Sequence, residues 1–197
     1  MICSKADSRS AEKAAACLRE GGIAILPTDT VYGFSAIVDL RDSSRHFKAD
    51  EIIRSIKGRS EDKPFIQLLA RPEDIFLYTD DVIPSSLLAK WPGPLTIIVR
   101  LKESAPLLQH GATVAFRCPG DVWLRTVLAA CNAPLYSTSV NRSGKNVLSR
   151  IADIRAEFES EVQLIVDDGD KEGALPSTIV SVQDGKISVL RQGAVTI

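Results

Sequence analysis

Four short stretches carry side chains suited to holding an anion. In "PTDTVYG", residues 27–33, Thr28, Asp29, Thr30 and Tyr32 follow directly on the apolar run 23–26. "KGRSEDKP", residues 57–64, sets Lys57 and Arg59 in a K-x-R pair, within a basic group that also holds Arg54 and Lys63. "STSVNRSGK", residues 137–145, offers Ser137, Ser139 and Asn141, and "PSTIV" offers Ser177. Two more cations stand apart, Arg117 in the apolar stretch "TVAFRC" and Arg191 after "ISVL". A guanidinium fork matches carboxylate and phosphate, and hydroxyls add donors around it. An arginine within an apolar strand is rarely buried without an anionic partner.

Each stretch also has an ordinary structural use. "TDT" reads as an Asx turn, and "KGR" as the basic end of a helix capped by Gly58. "STSVNRSGK" reads as a solvated loop and "PST" as a strand entry. Three common phosphate and nucleophile signatures are missing: GxxxxGK[ST], GxGxxG and GxSxG. Any phosphate must therefore be held by separate Lys, Arg, Ser and Thr side chains and backbone N–H groups. The acidic turn Asp167, Asp168, Gly169, Asp170 lacks an EF-hand pattern, and no metal site is expected. Cys118 reads as a plain thiol, His46 and His110 as surface residues, and Trp91 as a packing anchor.

The elements that must position these groups follow from periodicity and breakers. A helix is expected over 11–20, capped by Ser10 and stopped at Gly21-Gly22, with Ala14, Cys17 and Leu18 on one face. Strands are read in "GIAIL", "SAIVDL", "PFIQLLA", "LTIIVRL", "TVAFRCP", "APLYSTSVN", "VQLIVDDG" and "PSTIVSV", and a hairpin joins the last to "KISVL" through "QDG". Helices are expected over 44–56 (striped by Phe47, Ile52, Ile53 and Ile56), from Pro72, over 84–91 and over 121–130. This alternation predicts an α/β fold with a mixed sheet and leaves the strand order open. The polar clusters fall at strand ends, where ligands gather in open α/β sheets.

Composition narrows the function. The 197 residues suffice for one domain with a real core, and none of the apolar runs approaches the ~20 residues that span a bilayer. The N-terminus lacks a signal-peptide pattern, and four scattered cysteines fit reduced thiols in a cytoplasm. Two histidines exclude a multi-His metal centre. A net charge of −1 and 6% aromatics argue against a general nucleic-acid binder, so any anion site is local.

Seven ordered blocks, "GGIAILPTDTVYGFSA", "IKGRSEDKPF", "WPGPLTIIV", "TVAFRCPG", "STSVNRSG", "PSTIV" and "VLRQGAV", resemble the YrdC/Sua5-type threonylcarbamoyl-AMP synthases over residues 8–195. The length resembles the short, single-domain bacterial form, so one domain over 1–197 is expected. The resemblance implies a twisted α/β sheet with flanking helices around a large electropositive concavity. It implies an adenylyl transfer in which L-threonine, bicarbonate or CO2, and ATP with Mg2+ give threonylcarbamoyl-adenylate and pyrophosphate. The adenylate would feed tRNA t6A37 modification through separate transfer proteins.

The resemblance also implies roles for residues. Thr28, Tyr32, Arg117 and Ser177 would bind threonine. Lys57, Arg59, Thr113, Ser137, Ser139, Asn141 and Arg191 would bind ATP, with Lys57 and Arg59 closest to the chemistry. The hydroxyls of the first block would favour threonine over valine. Lys57 and Arg59 are read as lying past a helix end, where substitution spares the fold. Ser60 and Leu68 depart from the family's usual Pro and occasional His. The rival reading is an RNA-binding module that uses the same basic concavity without catalysis.

Overall fold

The computed structural model describes residues 1–60, 64–107 and 112–197. Lys63 and His110, named above, lie outside the described residues. Strands run Ile2–Ser4 (β1), Ala24–Leu26 (β2), Gly33–Ile37 (β3), Ile66–Leu68 (β4), Leu95–Arg100 (β5), Thr113–Arg117 (β6), Leu135–Ser139 (β7), Leu164–Asp167 (β8), Thr178–Gln183 (β9) and Lys186–Arg191 (β10). They form one mixed sheet in the order β1-β8-β2-β3-β7-β4-β6-β5-β9-β10. Helices are Ser10–Arg19 (α1), Ala49–Lys57 (α2), Ser85–Leu88 (α3), Val122–Cys131 (α4) and Ile151–Phe158 (α5), with a 3-10 helix at Pro72–Leu77. Among the described residues, none of these helices is long and apolar enough to cross a membrane.

Alternation along the strands separates two faces. Ala24, Leu26, Leu68, Leu135 and Leu164 pack under α1 and α4. Ile25, Phe34, Ala36 and Ile165 turn the other way, against Ile53 and Ile56 of α2 and Ile154 and Phe158 of α5. Further along that second face, Phe116, Ile97 and Val180 pack with Ile75, Leu87 and Trp91.

The functional end arises where the α1/α4 face stops being leucine. Ile37 pairs with Leu135 and Leu135 with Leu68; one step along the strands the row reads Ser35, Ser137, Ile66 and Ala115. The next cross-strand pair is Gly33 with Ser139. Side chains shrink along these rows, so the sheet cannot fill the space above them. A Cβ at Gly33 would stand 2.9 Å from Ser137 Oγ, which is why the narrowest point carries glycine.

Several boundaries differ from the sequence reading for identifiable reasons. Lys48 adopts a left-handed conformation (φ 50°), so α2 starts at Ala49 rather than 44. Asp39 receives Phe47 N–H and Lys48 N–H and holds the preceding segment as a loop. Ile52 is exposed, and Lys57 is buried in its place. Ser10 is the first helical residue rather than the cap, and its hydroxyl donates to Lys5 O. Asp121 is the cap of α4, accepting Leu124 N–H at 2.9 Å. Two elements were absent from the sequence reading, β1 and α5. Trp91 is a buried anchor whose Nε1 donates to Leu95 O, and His46 is exposed.

Candidate active site

The space above the small-residue rows is a cavity of about 210 Å³. The β2–β3 loop brings Thr28 and Tyr32 to it, and the segment after α2 brings Arg59. Arg117 ends β6, and Ser137 and Ser139 lie on β7. Ser177, just before β9, and Arg191, at the end of β10, close the far side. Three arginines line this space, and among the described residues no carboxylate does.

The β2–β3 loop is organised around its own hydroxyls. Thr28 Oγ1 donates to Val31 O at 2.8 Å and accepts Thr30 N–H at 3.0 Å. Its proton being spent, the 2.9 Å contact to Thr30 has Thr30 Oγ1 as donor. Thr30 Oγ1 in turn accepts from Arg117 Nη1 at 2.9 Å. Arg117 also donates to Gly93 O at 3.2 Å and forms an ion pair with Asp29, whose other oxygen accepts Gly120 N–H. Burial pushes the Arg117 pKa down and Asp29 opposes that shift. Such a guanidinium stays charged, and Asp29 cancels its charge locally. The expectation that a buried arginine in this strand has an anionic partner holds: the partner is Asp29, from the same polar block as Thr28, and Arg117 also lines the cavity.

Tyr32 lines the cavity wall, with its hydroxyl engaged behind it. Its side chain is fully buried, its hydroxyl donates to Gly169 O, and it accepts Asp168 N–H, both at 2.8 Å. Burial and the neighbouring acids push this phenol up to about 12. The hydroxyl pins the turn after β8 and does not face the cavity as a free group. That acidic turn is itself spoken for: Lys5 and Lys171 bind Asp168, and Asp170 accepts Ile151 N–H.

Lys57 lies beneath the cavity wall and is 2% exposed. Its ammonium donates to Ser139 O (2.5 Å), Asn141 O (2.9 Å) and Asn141 Oδ1 (3.0 Å). Ser139 Oγ also donates to Asn141 Oδ1, and Asn141 Nδ2 donates to Arg142 O and Lys145 O. The K-x-R lysine and the S-x-N pair therefore form one bracket that shapes the loop after β7. Burial, with Arg59 nearby, lowers the Lys57 pKa to about 8. The expectation that Lys57 lies past a helix end is corrected: it is the last residue of α2 and buried.

Arg59 reaches Thr138 Oγ1 (3.4 Å) and Pro64 O (3.0 Å), over the ring of Phe65. Arg191 donates to Ser177 O (2.8 and 3.1 Å) and Ser177 Oγ (3.2 Å). Among the described residues it has no carboxylate partner. Thr113 shares the Arg117 face of β6 by alternation but is exposed and does not line the cavity.

One residue absent from the sequence reading is Thr96. Thr96 Oγ1 meets Ser177 Oγ at 2.8 Å, fully buried within the apolar strand "LTIIV". A lone hydroxyl in such a strand was the available signal, because it must find a buried partner. Cys118 is buried, and its thiol is pushed up to about 12 by burial, as befits a plain core residue.

A mixed sheet whose floor narrows to serine and glycine, beneath three arginines, frames a cavity whose lining is of types suited to an anion. A family model, Sua5_yciO_yrdC, described as telomere recombination, matches residues 16–193, and the chain belongs to that family. It is similar to the threonylcarbamoyl-AMP synthase of Pseudoalteromonas translucida, 27% identical over 92% of this chain and 97% of the relative. The corresponding synthase of Bacillus subtilis is 32% identical over 93% of this chain and 53% of its own length. The solved structure of Pyrococcus abyssi Sua5 complexed with L-threonine superimposes with a TM-score of 0.80 at 27% identity, covering 93% of this chain and 54% of that one. The chain thus spans about half the length of these last two proteins.

Proposed function

We propose that this chain is an L-threonylcarbamoyladenylate synthase, condensing L-threonine, bicarbonate or CO2, and ATP, with release of pyrophosphate. The observation that carries the reading is the cavity shared by Ser177, Arg191 and Arg59, in a chain whose relatives are named for this product and one of which is solved with threonine. At about 210 Å³ the space is below the roughly 300–1,000 Å³ of pockets for drug-sized ligands and suits an amino acid. ATP would lie over the open mouth of this cavity, against Arg59 and Arg191.

The chemistry matches what the side chains offer. The threonine amine and bicarbonate give the N-carboxylate with loss of water (from CO2, with loss of a proton to solvent). This is already an anion, so its oxygen attacks the α-phosphorus without a strong base. A P–O bond forms, the bond to the β-phosphate breaks, and pyrophosphate leaves. The obstacle is repulsion between anions, which positioning offsets by roughly 7–11 kcal/mol in favourable cases. Arg191 and Arg59 supply fixed cations where charge grows on phosphate oxygens. Lys57, Ser139 and Asn141 act by holding the loop after β7, and Asp29 holds Arg117 as part of the wall. Mg2+ would arrive with ATP, since hydroxyls and arginines line the cavity and, among the described residues, no group of His, Cys, Asp or Glu could hold it.

The product would then serve t6A synthesis at tRNA position 37 through separate transfer proteins. The test is pyrophosphate release from ATP with threonine and bicarbonate supplied singly and together. Release only when both are present is expected. ATP turnover indifferent to threonine, with salt-sensitive RNA binding in its place, would favour the RNA-module reading.

A further inference from the structure

A second and larger hollow, about 650 Å³, opens where β4 leaves the sheet. It shares no lining residue with the arginine-lined cavity. Leu69 follows β4, Leu77 and Tyr78 end the 3-10 helix, and Val122, Arg125 and Leu128 come from α4. Its volume falls within the range of small-molecule sites.

Charge on its wall does not cancel. Arg71 lies on Asp74, with Nη2 and Nε 2.7 and 3.0 Å from Oδ1, so that pair is locally neutral. Arg125 has no ion pair or side-chain hydrogen bond among the described residues, and its Nε is enclosed without an acceptor. A buried donor left unmade is costly, which favours an acceptor arriving from outside the chain. Tyr78 and Asn132 also line the space. Leu77 and Val122, both exposed, add apolar surface to the wall.

We propose that this hollow binds a small amphipathic organic acid, its carboxylate on Arg125 and its apolar body on Leu77 and Val122. The site is independent of the adenylate chemistry proposed above. β4 separates the two: Ile66 lines one cavity and Leu69 the other.

The test uses the full chain with 8-anilinonaphthalene-1-sulfonate, a fluorescent amphipathic monoanion, displaced by 4-phenylbutyrate or by its neutral amide. Saturable one-to-one binding is expected, displaced by the acid at least about 10-fold better than by the amide. Arg125→Gln is expected to weaken binding about 10-fold or more, and Arg125→Lys to retain most of it. Ala129→Phe, at an exposed position of α4 on the hollow's wall, fills the space and should abolish binding. Thermal unfolding of each variant checks that the fold persists, and the wild-type acid-to-amide comparison stands if one does not. Equal displacement by acid and amide would overturn the proposal. So would wild-type binding in both Arg125→Gln and Ala129→Phe, or displacement of the probe by ATP with threonine.

Discussion

Arg117 and Arg191 line the same cavity and do different work. Arg117 is 5% exposed, meets Asp29, Thr30 and Gly93, and has its charge cancelled by a carboxylate. Arg191 stands on the rim, bonds only to Ser177 among the described residues, and keeps its charge. The lesson is that an arginine's nearest oxygen decides its role. A carboxylate makes it part of the wall. Neutral carbonyls and hydroxyls hold it in place and leave its field for a substrate.

The largest expected effect breaks the Arg117 side. Arg117→Ala leaves the partly buried Asp29 carboxylate and Thr30 without their cation and should cost about 1.5–3 kcal/mol, lowering Tm by about 5 °C or more. The double variant Asp29→Asn with Arg117→Gln should recover at least half of that loss in the same melting experiment. If the single variant melts like wild type, Arg117 is not a structural ion pair. Arg191→Ala is expected to do the opposite, slowing threonine-dependent pyrophosphate release about 100-fold while moving Tm by no more than about 2 °C.

Lys57 tests the bracket through pH. Its proton leaves near pH 8 in the folded chain, against 10.5 for an ordinary lysine. Between those values the unfolded chain holds more protons, so this group adds stability as pH rises. Activity that needs the ammonium should instead fall as pH rises through about 8, and Lys57→Arg should lose that limb. A rate profile flat from pH 7 to 9.5 would place the ammonium outside the working site. Thr28→Val removes the hydroxyl at the centre of the β2–β3 loop and should cost about 1 kcal/mol. The smallest effect is Thr113→Ala, expected to change KM for ATP by less than about 3-fold; a larger change would bring the open side of β6 into the nucleotide site.

The sequence showed more of the site than of how it is held. Thr28, Arg59, Ser137, Ser139, Ser177 and Arg191 were legible as anion-holding types at strand ends, and all line the cavity. Bond partners were not legible, because Asp29 meets Arg117 across 88 positions and Lys57 meets Asn141 across 84. Local periodicity carries no information about such pairs. The same limit hid β1, three residues long and made a strand only by parallel pairing with β8. α5 was missed because its short apolar stripe, Ile154 and Phe158, follows a long polar loop. The alternation of strands and helices was enough for a mixed α/β sheet. The order of the strands depended on long-range pairings such as β5 with β9.

The most direct measurement is mass spectrometry of the nucleotide formed from ATP, threonine and isotopically labelled bicarbonate, in wild type and in Arg191→Ala. The account predicts a threonine-containing adenylate carrying one labelled carbon in wild type, and about one hundredth as much in the folded variant. AMP or ADP formed without threonine, or equal labelled product from both proteins, would contradict it.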